Sequence, residues 1–433
     1  MDNIILKSLS VENFASFAEL SEFTTETDSS KKEYLDNTFI NGDIRFNKVS
    51  FLYGANGSGK TFFCKILREI QRLLTLSPLL AAPNSSQFLS TPQVKGLDVP
   101  VKPFVFDIHY REKPTTFKID IVMSAITYHY EFSVQGKTVV RELLTKKYRR
   151  TEKLIERTSP LFKDIILRSE LKGFESAKQT VKPEALCLPV AAMLNNSLAD
   201  QLNTAICGIQ VVSMAAGRLN PLNPKKTFTK ERIDKYIRII QKADPTIRNI
   251  NVSSSEEEIA RQKIDVDDFE NREIIATKTT VSVDTKHVVY NNGVEQEEQA
   301  PITFFAEESL GTIKLFTALP YLYDVLESGG VLIIDELENG LHLSLAKEII
   351  NLFNSESSNP KHAQLICTSH QPLLLDGNYR RDQVWVSIKD SFGQCSLHRL
   401  SGLQTPRAKV NLTTQILKGA FGCNPKLFFD NNT

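Results

Sequence analysis

The chain has 433 residues, 41% hydrophobic and 24% charged, and it contains no run close to the roughly 18 apolar residues of a membrane span. This composition predicts a soluble globular protein of one large domain or two intertwined domains. The net charge of +1 excludes a global cationic field that would attract nucleic acid or an acidic membrane, but a local basic patch remains possible. The six cysteines are scattered without a C-x-x-C pair and the N-terminus lacks a secretory signal pattern, so we expect reduced thiols and a cytoplasmic location.

A phosphate-binding loop is the first predicted element with a chemical signature. The apolar strand 49–53 runs into Gly54-Ala55-Asn56-Gly57-Ser58-Gly59-Lys60-Thr61, which fits G-x-x-x-x-G-K-[ST] at every fixed position. Glycines let backbone N–H groups turn around phosphate oxygens, Lys60 supplies a cation, and the Thr61 hydroxyl can ligate Mg²⁺. Apolar residues at helical spacing follow in 62–74, and the start of such a helix directs its positive dipole end at the phosphate. The pattern predicts a phosphate cradle rather than a chance glycine-rich turn.

The stretches between this loop and the last third of the chain carry weaker signals. The basic cluster Lys146-Lys147-Tyr148-Arg149-Arg150 could contact a nucleic-acid backbone, but a solvated basic face is the preferred interpretation. Six prolines interrupt residues 151–275, which predicts a compact, mainly helical lid and no sustained helical hairpin arm. Within it, VSSSEEE (252–258) is interpreted as a solvated loop. The alternation and Asn-Asn-Gly of 276–293 predict a strand and turn.

A helix with Ser309 and Gly311 at its N-terminus is predicted within residues 307–326, because apolar residues recur there at helical spacing. Two interpretations remain open. Serine is a good N-cap, and taken alone the motif favours an ordinary capped helix. A helix N-terminus is also an anion site, and this one lies about 250 residues beyond the phosphate loop. Ser309 and Gly311 could therefore bind the γ-phosphate held by a second copy of the chain.

Two further apolar strands end in polar residues. Val331 to Ile334 precede Asp335 and Glu336, and a fully apolar run predicts a buried parallel strand whose carboxyl end faces a ligand. Asp335 would hold Mg²⁺ through water, and Glu336 could be the general base for the attacking water. About 30 residues later a strand ends at His370, which could donate a hydrogen bond to the γ-phosphate. Solvated acids and a surface histidine are the alternatives.

The order of these motifs resembles that of ABC-type ATPases, including the SMC and RecF-like DNA-repair branch. The sequence NFASF (13–17) resembles the N-F-x-S-F of that branch, with Ala15 where many relatives carry arginine. Residues 126–144 and 410–425 resemble segments of the RloA-like and PARIS-type ATPases of bacterial restriction-linked and phage-defence operons. The resemblance implies an α/β P-loop NTPase. Its nucleotide-binding lobe would comprise residues 1–150 and 276–433, and residues 151–275 would form the inserted lid.

The resemblance also implies a mechanism and assigns roles. Such ATPases dimerise head to tail around two ATP molecules. By the resemblance, Gly54, Asn56, Gly57, Ser58, Gly59, Lys60 and Thr61 bind ATP and Mg²⁺, Asp335 supports Mg²⁺, Glu336 is the base, His370 is the switch, and Ser309 and Gly311 act across the interface. Residues 338–342 occupy the position of the D-loop, which contacts the partner. A glutamine that links the γ-phosphate to the accessory lobe is expected after the first helix, with Gln87 and Gln93 as candidates.

Three functional hypotheses follow. The first is an ATP-hydrolysing dimeric sensor or scaffold that regulates a separately encoded, nuclease-type effector in anti-phage defence. It includes a separate effector because only 63 residues follow His370, too few for an appended TOPRIM nuclease. The second is a DNA-repair or chromosome-associated ATPase that binds nucleic acid directly, which the near-zero net charge disfavours. The third, a transporter ATPase, is weakest because the usual L-S-G-G-Q signature is missing.

Overall fold

The computed structural model describes residues 3–81, 99–215, 227–266, 269–403 and 412–422, which form a mixed α/β structure. The strands in chain order are β1 (Ile4–Glu12), β2 (Ser21–Thr24), β3 (Thr38–Asn41), β4 (Ile44–Asn47), β5 (Val49–Tyr53), β6 (Thr115–Met123), β7 (Ile126–Gln135), β8 (Thr138–Lys147), β9 (Thr151–Arg157), β10 (Ile165–Leu167), β11 (Gln210–Ser213), β12 (Ile247–Val266), β13 (Phe269–Asn291), β14 (Val294–Thr303), β15 (Val331–Asp335), β16 (Gln364–Ser369), β17 (Val384–Lys389) and β18 (Cys395–Arg399). The helices are α1 (Lys60–Ala81), α2 (Cys187–Met193), α3 (Ser197–Cys207), α4 (Lys230–Ala243), α5 (Phe304–Glu307), α6 (Leu310–Ser328), α7 (Leu343–Asn354) and α8 (Leu412–Leu417).

A six-stranded sheet with the order β11-β15-β16-β5-β17-β18 positions the candidate site. Its first five strands are parallel and β18 is antiparallel. Every residue of β5, β15 and β16 is buried, because α1 covers one face of the sheet while α6 and α7 cover the other. A parallel sheet buried on both faces requires the continuous apolar runs that the sequence contains. The predicted strands at 49–53, 331–334 and 363–369 and the helices that follow the first of them and Ser309 are confirmed, and so is the α/β P-loop fold.

An antiparallel sheet of seven strands, in the order β10-β9-β8-β7-β6-β1-β2, packs over α1. Strand β6 shows the alternation that this position requires, since Phe117, Ile119 and Ile121 face the core while Lys118 and Asp120 lie on the outer face. The core below the sheet also contains α2 and α3. The two sheets therefore enclose α1, whose N-terminus carries the phosphate loop.

The segment 151–275 is mixed rather than mainly helical. Strands β9 and β10 extend the antiparallel sheet, β11 joins the parallel sheet beside β15, and α2, α3 and α4 account for the helical part. The prolines do not prevent short strands from adding to existing sheet edges, and the prediction of a mainly helical lid missed these strands because each is only three to seven residues long.

A β-ribbon replaces the expected loop at 252–258, and that prediction is wrong. Strands β12 and β13 have 20 and 23 residues and pair antiparallel from Ile247–His287 to Val266–Phe269, while β14 pairs only with the base of β13, from Asp284 to Asn291. The chain thus has a β-hairpin arm, and no sustained helical hairpin arm occurs among the described residues of 151–275. The acidic triplet within 252–258 lies on a strand exposed to solvent, so its polarity did not reveal the secondary structure. The strand and turn predicted for 276–293 are confirmed.

Three remaining features complete the fold. No helix among the described residues is long and apolar enough to cross a membrane. The cysteines in the described ranges form no disulfide, and the described part of 410–425 contains the short helix α8. Gln87 and Gln93 lie outside the described residues.

Candidate nucleotide-binding site

A cleft of about 390 Å³ lies at the carboxyl ends of β5, β15 and β16. Its lining residues come from the phosphate loop and from the ends of the two other strands, and they are Asn56, Gly57, Gly59, Lys60, Thr61, Phe62, Glu336, Asn339 and His370. Residues separated by up to 314 positions are therefore brought together, as expected for a ligand site at the carboxyl edge of a parallel sheet. Lys60, Thr61, Glu336 and His370, each predicted from sequence, share this one cleft.

The phosphate loop has the backbone geometry of an anion cradle. Gly57 and Gly59 adopt φ angles of +77° and +100°, which side chains rarely tolerate. A Cβ at Gly54 would lie 2.4 Å from Ser58 Oγ and 2.7 Å from the Ser387 carbonyl oxygen, so glycine is also required there by packing. Ser58 is buried, and its hydroxyl has no hydrogen-bond partner among the described residues. The loop is thus shaped by glycine and retains an unsatisfied polar atom.

Lys60 is buried inside this loop. Its ammonium group donates hydrogen bonds to the carbonyl oxygens of Gly54 and Ala55, at 2.7 and 2.8 Å. Burial lowers the pKa of Lys60, and the carboxylates of Glu336, Glu338 and Asp335 act in the opposite direction. The cation is therefore held in a site where negative charge stabilises it, at the entrance to α1.

Asp335 lies beneath the cleft, only 3% exposed. Its Oδ1 accepts a hydrogen bond of 2.7 Å from the Thr368 hydroxyl, so the last residue of β15 is tied to the neighbouring strand β16. Burial, followed by the charge of Asp335 and a hydrogen bond to it, raises the pKa of the Cys64 thiol well above its usual value. These contacts fix the carboxylate at the end of β15, close enough to affect the pKa of Lys60, where it could support a cation through water.

Glu336 has a left-handed backbone, with φ +57°, which is uncommon for a residue other than glycine. Its N–H donates to Thr368 Oγ1 at 2.9 Å, and its carboxylate accepts from Asn339 Nδ2 at 2.8 Å. Lys314 of α6 in turn donates to Asn339 Oδ1. Burial lowers the pKa of Lys314 while Glu336 opposes that shift. The strained backbone and this chain of contacts aim the carboxylate into the cleft.

His370 stands on the other side of the cleft, with 45% of its side chain exposed. Its backbone N–H and its Nδ1 both approach Glu338 Oε1, at 2.7 and 3.1 Å. Glu338 Oε2 is buried and has no hydrogen-bond partner among the described residues. The histidine is thus oriented by a carboxylate and leaves its Nε2 available to a ligand.

Ser309 and Gly311 do not line the cleft in the described part of the chain. Ser309 is the N-cap of α6, and its hydroxyl accepts a hydrogen bond of 3.1 Å from Thr312 N. A Cβ at Gly311 would lie 3.3 Å from the carbonyl oxygen of Gly340. The helix cap that the sequence allowed is therefore present, and within one chain this helix end contacts the segment 338–342 rather than the phosphate loop.

Sequence reasoning missed Lys314, Thr368 and the role of Asn339. Lys314 is 4% exposed within the apolar helix α6, so a lysine in an apolar helical run was the signal that could have found it. Thr368 and Asn339 gave no comparable signal, because their importance arises from contacts across the sheet and the following turn.

The basic cluster 146–150 spans the end of β8 and the turn to β9. Lys146 pairs with Glu152 and Glu170, and Arg149 lies over the Tyr148 ring.

The fold and the cleft define a P-loop nucleotide-binding protein of the ABC-ATPase-like class: a phosphate loop between β5 and α1, an acidic pair at the end of β15, and a histidine at the end of β16. The chain belongs to the family described as "AAA domain, putative AbiEii toxin, Type IV TA system", whose family model matches residues 49–185 and 223–376. The identification of a P-loop ATPase from sequence is thereby confirmed.

Among solved structures, the chain is similar to the SMC head domain from Thermotoga maritima, with 11% sequence identity, a TM-score of 0.36, and coverage of 92% of this chain and 99% of that chain. No curated protein matches the chain.

Proposed function

We propose that this protein binds and hydrolyses ATP with Mg²⁺, closes as a homodimer around the nucleotide, and acts as a sensor or scaffold that regulates a separately encoded effector in bacterial anti-phage defence. The observation that supports it most strongly is the convergence of Lys60, Glu336 and His370 on one cleft of about 390 Å³ beside the phosphate loop. The fold by itself does not require a lysine, a glutamate and a histidine to lie together at the carboxyl edge of a parallel sheet.

The residues present fit ATP and Mg²⁺. The loop offers glycines at positive φ and a buried ammonium group, which suit phosphate oxygens. Among the described residues no cluster of three or more His, Cys, Asp or Glu side chains could hold a metal by itself. This fits Mg²⁺, which takes few protein ligands and relies on phosphate oxygens and water. Thr61 and Asp335 would be its protein partners, and the ion would neutralise charge on the phosphates.

The remaining side chains would supply proton handling and orientation. Glu336, held by Asn339, would accept the proton of the attacking water. His370, held by Glu338, would donate a hydrogen bond toward the γ-phosphate and lose it after hydrolysis. Lys60 would stabilise negative charge on the β- and γ-phosphates.

The position of Ser309 and Gly311 supports the proposed dimer. These residues form an exposed helix N-terminus, with Leu310 59% exposed, and they lie outside their own chain's cleft among the described residues. A second copy would present this helix end to the γ-phosphate of the first, which supports a site composed of two chains. The family description names a Type IV TA system, which is compatible with a function alongside a second gene product.

Complementation between two inactive variants tests the composite site. Ser309→Arg would place a long cation where the partner's γ-phosphate docks, and Lys60→Ala would remove the cation of the loop. We expect each variant alone to lack ATPase activity, while Ser309→Arg still binds ATP. Mixing them should restore one composite site per heterodimer, built from an intact Lys60 and an intact Ser309 on different chains.

The mixture of wild-type protein with Lys60→Ala serves as the control for subunit exchange and for tolerance of one inactive site. If that control retains activity and the two inactive variants do not recover on mixing, Ser309 is an ordinary helix cap and the trans site is wrong. Co-expression with the product of the neighbouring gene, followed by pull-down with and without ATP, tests the effector. A product that is never retained in either state would contradict regulation of that effector.

A further inference from the structure

Glu308 occupies the junction between α5 and α6, directly before Ser309. Only 4% of its side chain is exposed. Its Oε1 accepts a hydrogen bond from the Thr285 hydroxyl and lies 2.6 Å from Nε2 of His287. Both partners belong to β13, so Glu308, the residue that precedes Ser309, is attached by its side chain to the base of the ribbon.

The partners of Glu308 are themselves fixed. Thr285 is fully buried, and the His287 side chain is 12% exposed, with Nδ1 2.9 Å from Thr246 Oγ1 in the connection between α4 and β12. A buried carboxylate without partners is costly, because its desolvation is not compensated. The two side chains that hydrogen-bond it, Thr285 and His287, therefore define the position of Glu308 relative to the ribbon, and Thr246 holds His287 in turn.

A covalent route joins the same two regions. Strand β14 ends at Thr303, which pairs with Asp284 of β13, and the single turn α5 leads from there to Glu308. Phe304 of α5 is fully buried and packs against Phe316 of α6, with ring centroids 4.9 Å apart. The N-terminus of α6 is thus attached to the ribbon base in two ways. Before α5 the attachment is the strand β14, and after α5 it is the side chain of Glu308.

The ribbon is long relative to this attachment. Beyond the last residue that pairs with β14, β13 continues for 15 residues, from Phe269 to Val283, paired only with β12. Fifteen residues of strand span about 50 Å. A displacement of the arm is therefore transmitted first to its base, where Thr285 and His287 lie.

We infer that Glu308 and His287 are positioning residues that place Ser309 for its action on the nucleotide of the partner chain, and that the β12–β13 ribbon sets this placement. The inference rests on the proposed function, since Ser309 acts only within the composite site. It assigns a role to a buried acid–histidine pair that neither nucleotide binding nor the general base requires.

Steady-state kinetics provide the first test. Glu308→Ala should lower kcat about tenfold and leave the affinity for ATP unchanged, because the phosphate loop of the same chain is untouched. Glu308→Gln should recover most of the loss, since its amide oxygen still accepts from Thr285. Thr285→Val, which removes one donor without changing volume, should give a smaller decrease. Glu295→Gln is the matched control, because Glu295 is an exposed carboxylate of β14 whose side chain pairs with Arg248, and the turnover of this variant should equal that of the wild type.

Mixing provides the decisive test. A heterodimer of Glu308→Ala with Lys60→Ala contains one composite site with an intact loop from the first chain and a correctly placed Ser309 from the second. Its turnover should rise about fivefold above that of Glu308→Ala alone. If Glu308 acts on its own chain's cleft, or if the variant is misfolded, the mixture should show no rise.

The two proposals fail separately. Recovery by Ser309→Arg with Lys60→Ala, but none by Glu308→Ala with Lys60→Ala, overturns the positioning role and leaves the composite site in place. Wild-type turnover of Glu308→Ala also overturns the positioning role. Failure of both mixtures, with an active wild-type control mixture, overturns the trans site and the positioning role with it.

Discussion

The phosphate loop and the N-terminus of α6 both place glycine at the start of a helix, but only the first has the other predicted site residues of its own chain around it. Around the loop, Lys60, Glu336 and His370 line the same cleft. Around the start of α6, Ser309 caps its own helix and Gly311 contacts the carbonyl oxygen of Gly340. Two motifs of similar chemistry thus differ in what surrounds them.

This difference fits the proposed division between nucleotide binding by a single chain and a composite site of two chains. The cleft contains the groups for binding phosphate and for accepting a proton, so nucleotide binding should be a property of the single chain. Under the proposed function, the N-terminus of α6 would bind the phosphate held by a second chain. Removal of the cation of the phosphate loop should therefore abolish ATP binding, whereas changes to Glu336, to His370 or to the start of α6 should lower turnover and leave ATP bound.

Removal of the loop cation has the largest expected effect. Lys60→Ala deletes the ammonium group held by Gly54 and Ala55, so the affinity for ATP should fall at least about 100-fold, measured by isothermal titration calorimetry or by a fluorescent nucleotide. The control is Lys235→Ala, an exposed lysine of α4 paired with Glu231. Equal affinities for the two variants would mean that the loop is not the nucleotide site.

Replacement of the proposed base comes next in magnitude. Glu336→Gln keeps the hydrogen bond from Asn339 but cannot accept a proton, so kcat should fall between about 100-fold and 10,000-fold while ATP remains bound. Release of inorganic phosphate measures kcat, and nucleotide titration measures whether ATP remains bound. Glu348→Gln on the exposed face of α7 is the matched control. Turnover of Glu336→Gln at the wild-type rate would assign the base elsewhere.

Loss of the histidine should be milder, because it contributes one hydrogen bond. His370→Ala should reduce kcat about 10- to 100-fold with little change in ATP affinity. His398→Ala, a histidine of β18 bonded to Ser396, should leave both quantities unchanged. A larger loss of affinity than of turnover in His370→Ala would mean that the side chain binds the ground state rather than the transition state.

The sequence was sufficient for the parts of the site that rest on local patterns. Buried parallel strands such as β15 are continuously apolar, and the phosphate loop has fixed spacing, so both could be predicted. The β12–β13 ribbon could not, because the polar residues 253–258 of β12 are all exposed and this acidic stretch matches a loop equally well. The contacts of Lys314 with Asn339 and of Glu308 with His287 also could not, because they join residues that only the tertiary structure brings together.

The smallest expected effect tests the contact between the two regions themselves. Gly340 has φ +76°, and a Cβ there would lie 2.6 Å from Cδ of Lys314, a buried residue that donates to Asn339. Gly293, at the turn between β13 and β14, has φ +83° but open space around its Cβ position. Gly293→Ala should therefore cost only the backbone strain, about 1 kcal/mol, whereas Gly340→Ala should cost about 2–4 kcal/mol because the lysine must also move.

The Tm of each variant, measured by thermal unfolding, reports this difference in stability. Gly340→Ala should show the larger decrease in Tm. It should also lower kcat severalfold, since displacement of Lys314 loosens Asn339 and with it the Glu336 carboxylate, while Gly293→Ala should keep wild-type turnover. Equal Tm values and equal turnover for the two variants would show that the segment 338–342 does not couple α6 to the cleft. The position of the Glu336 carboxylate, which Asn339 holds, would then not depend on the contact between Gly340 and Lys314 of α6.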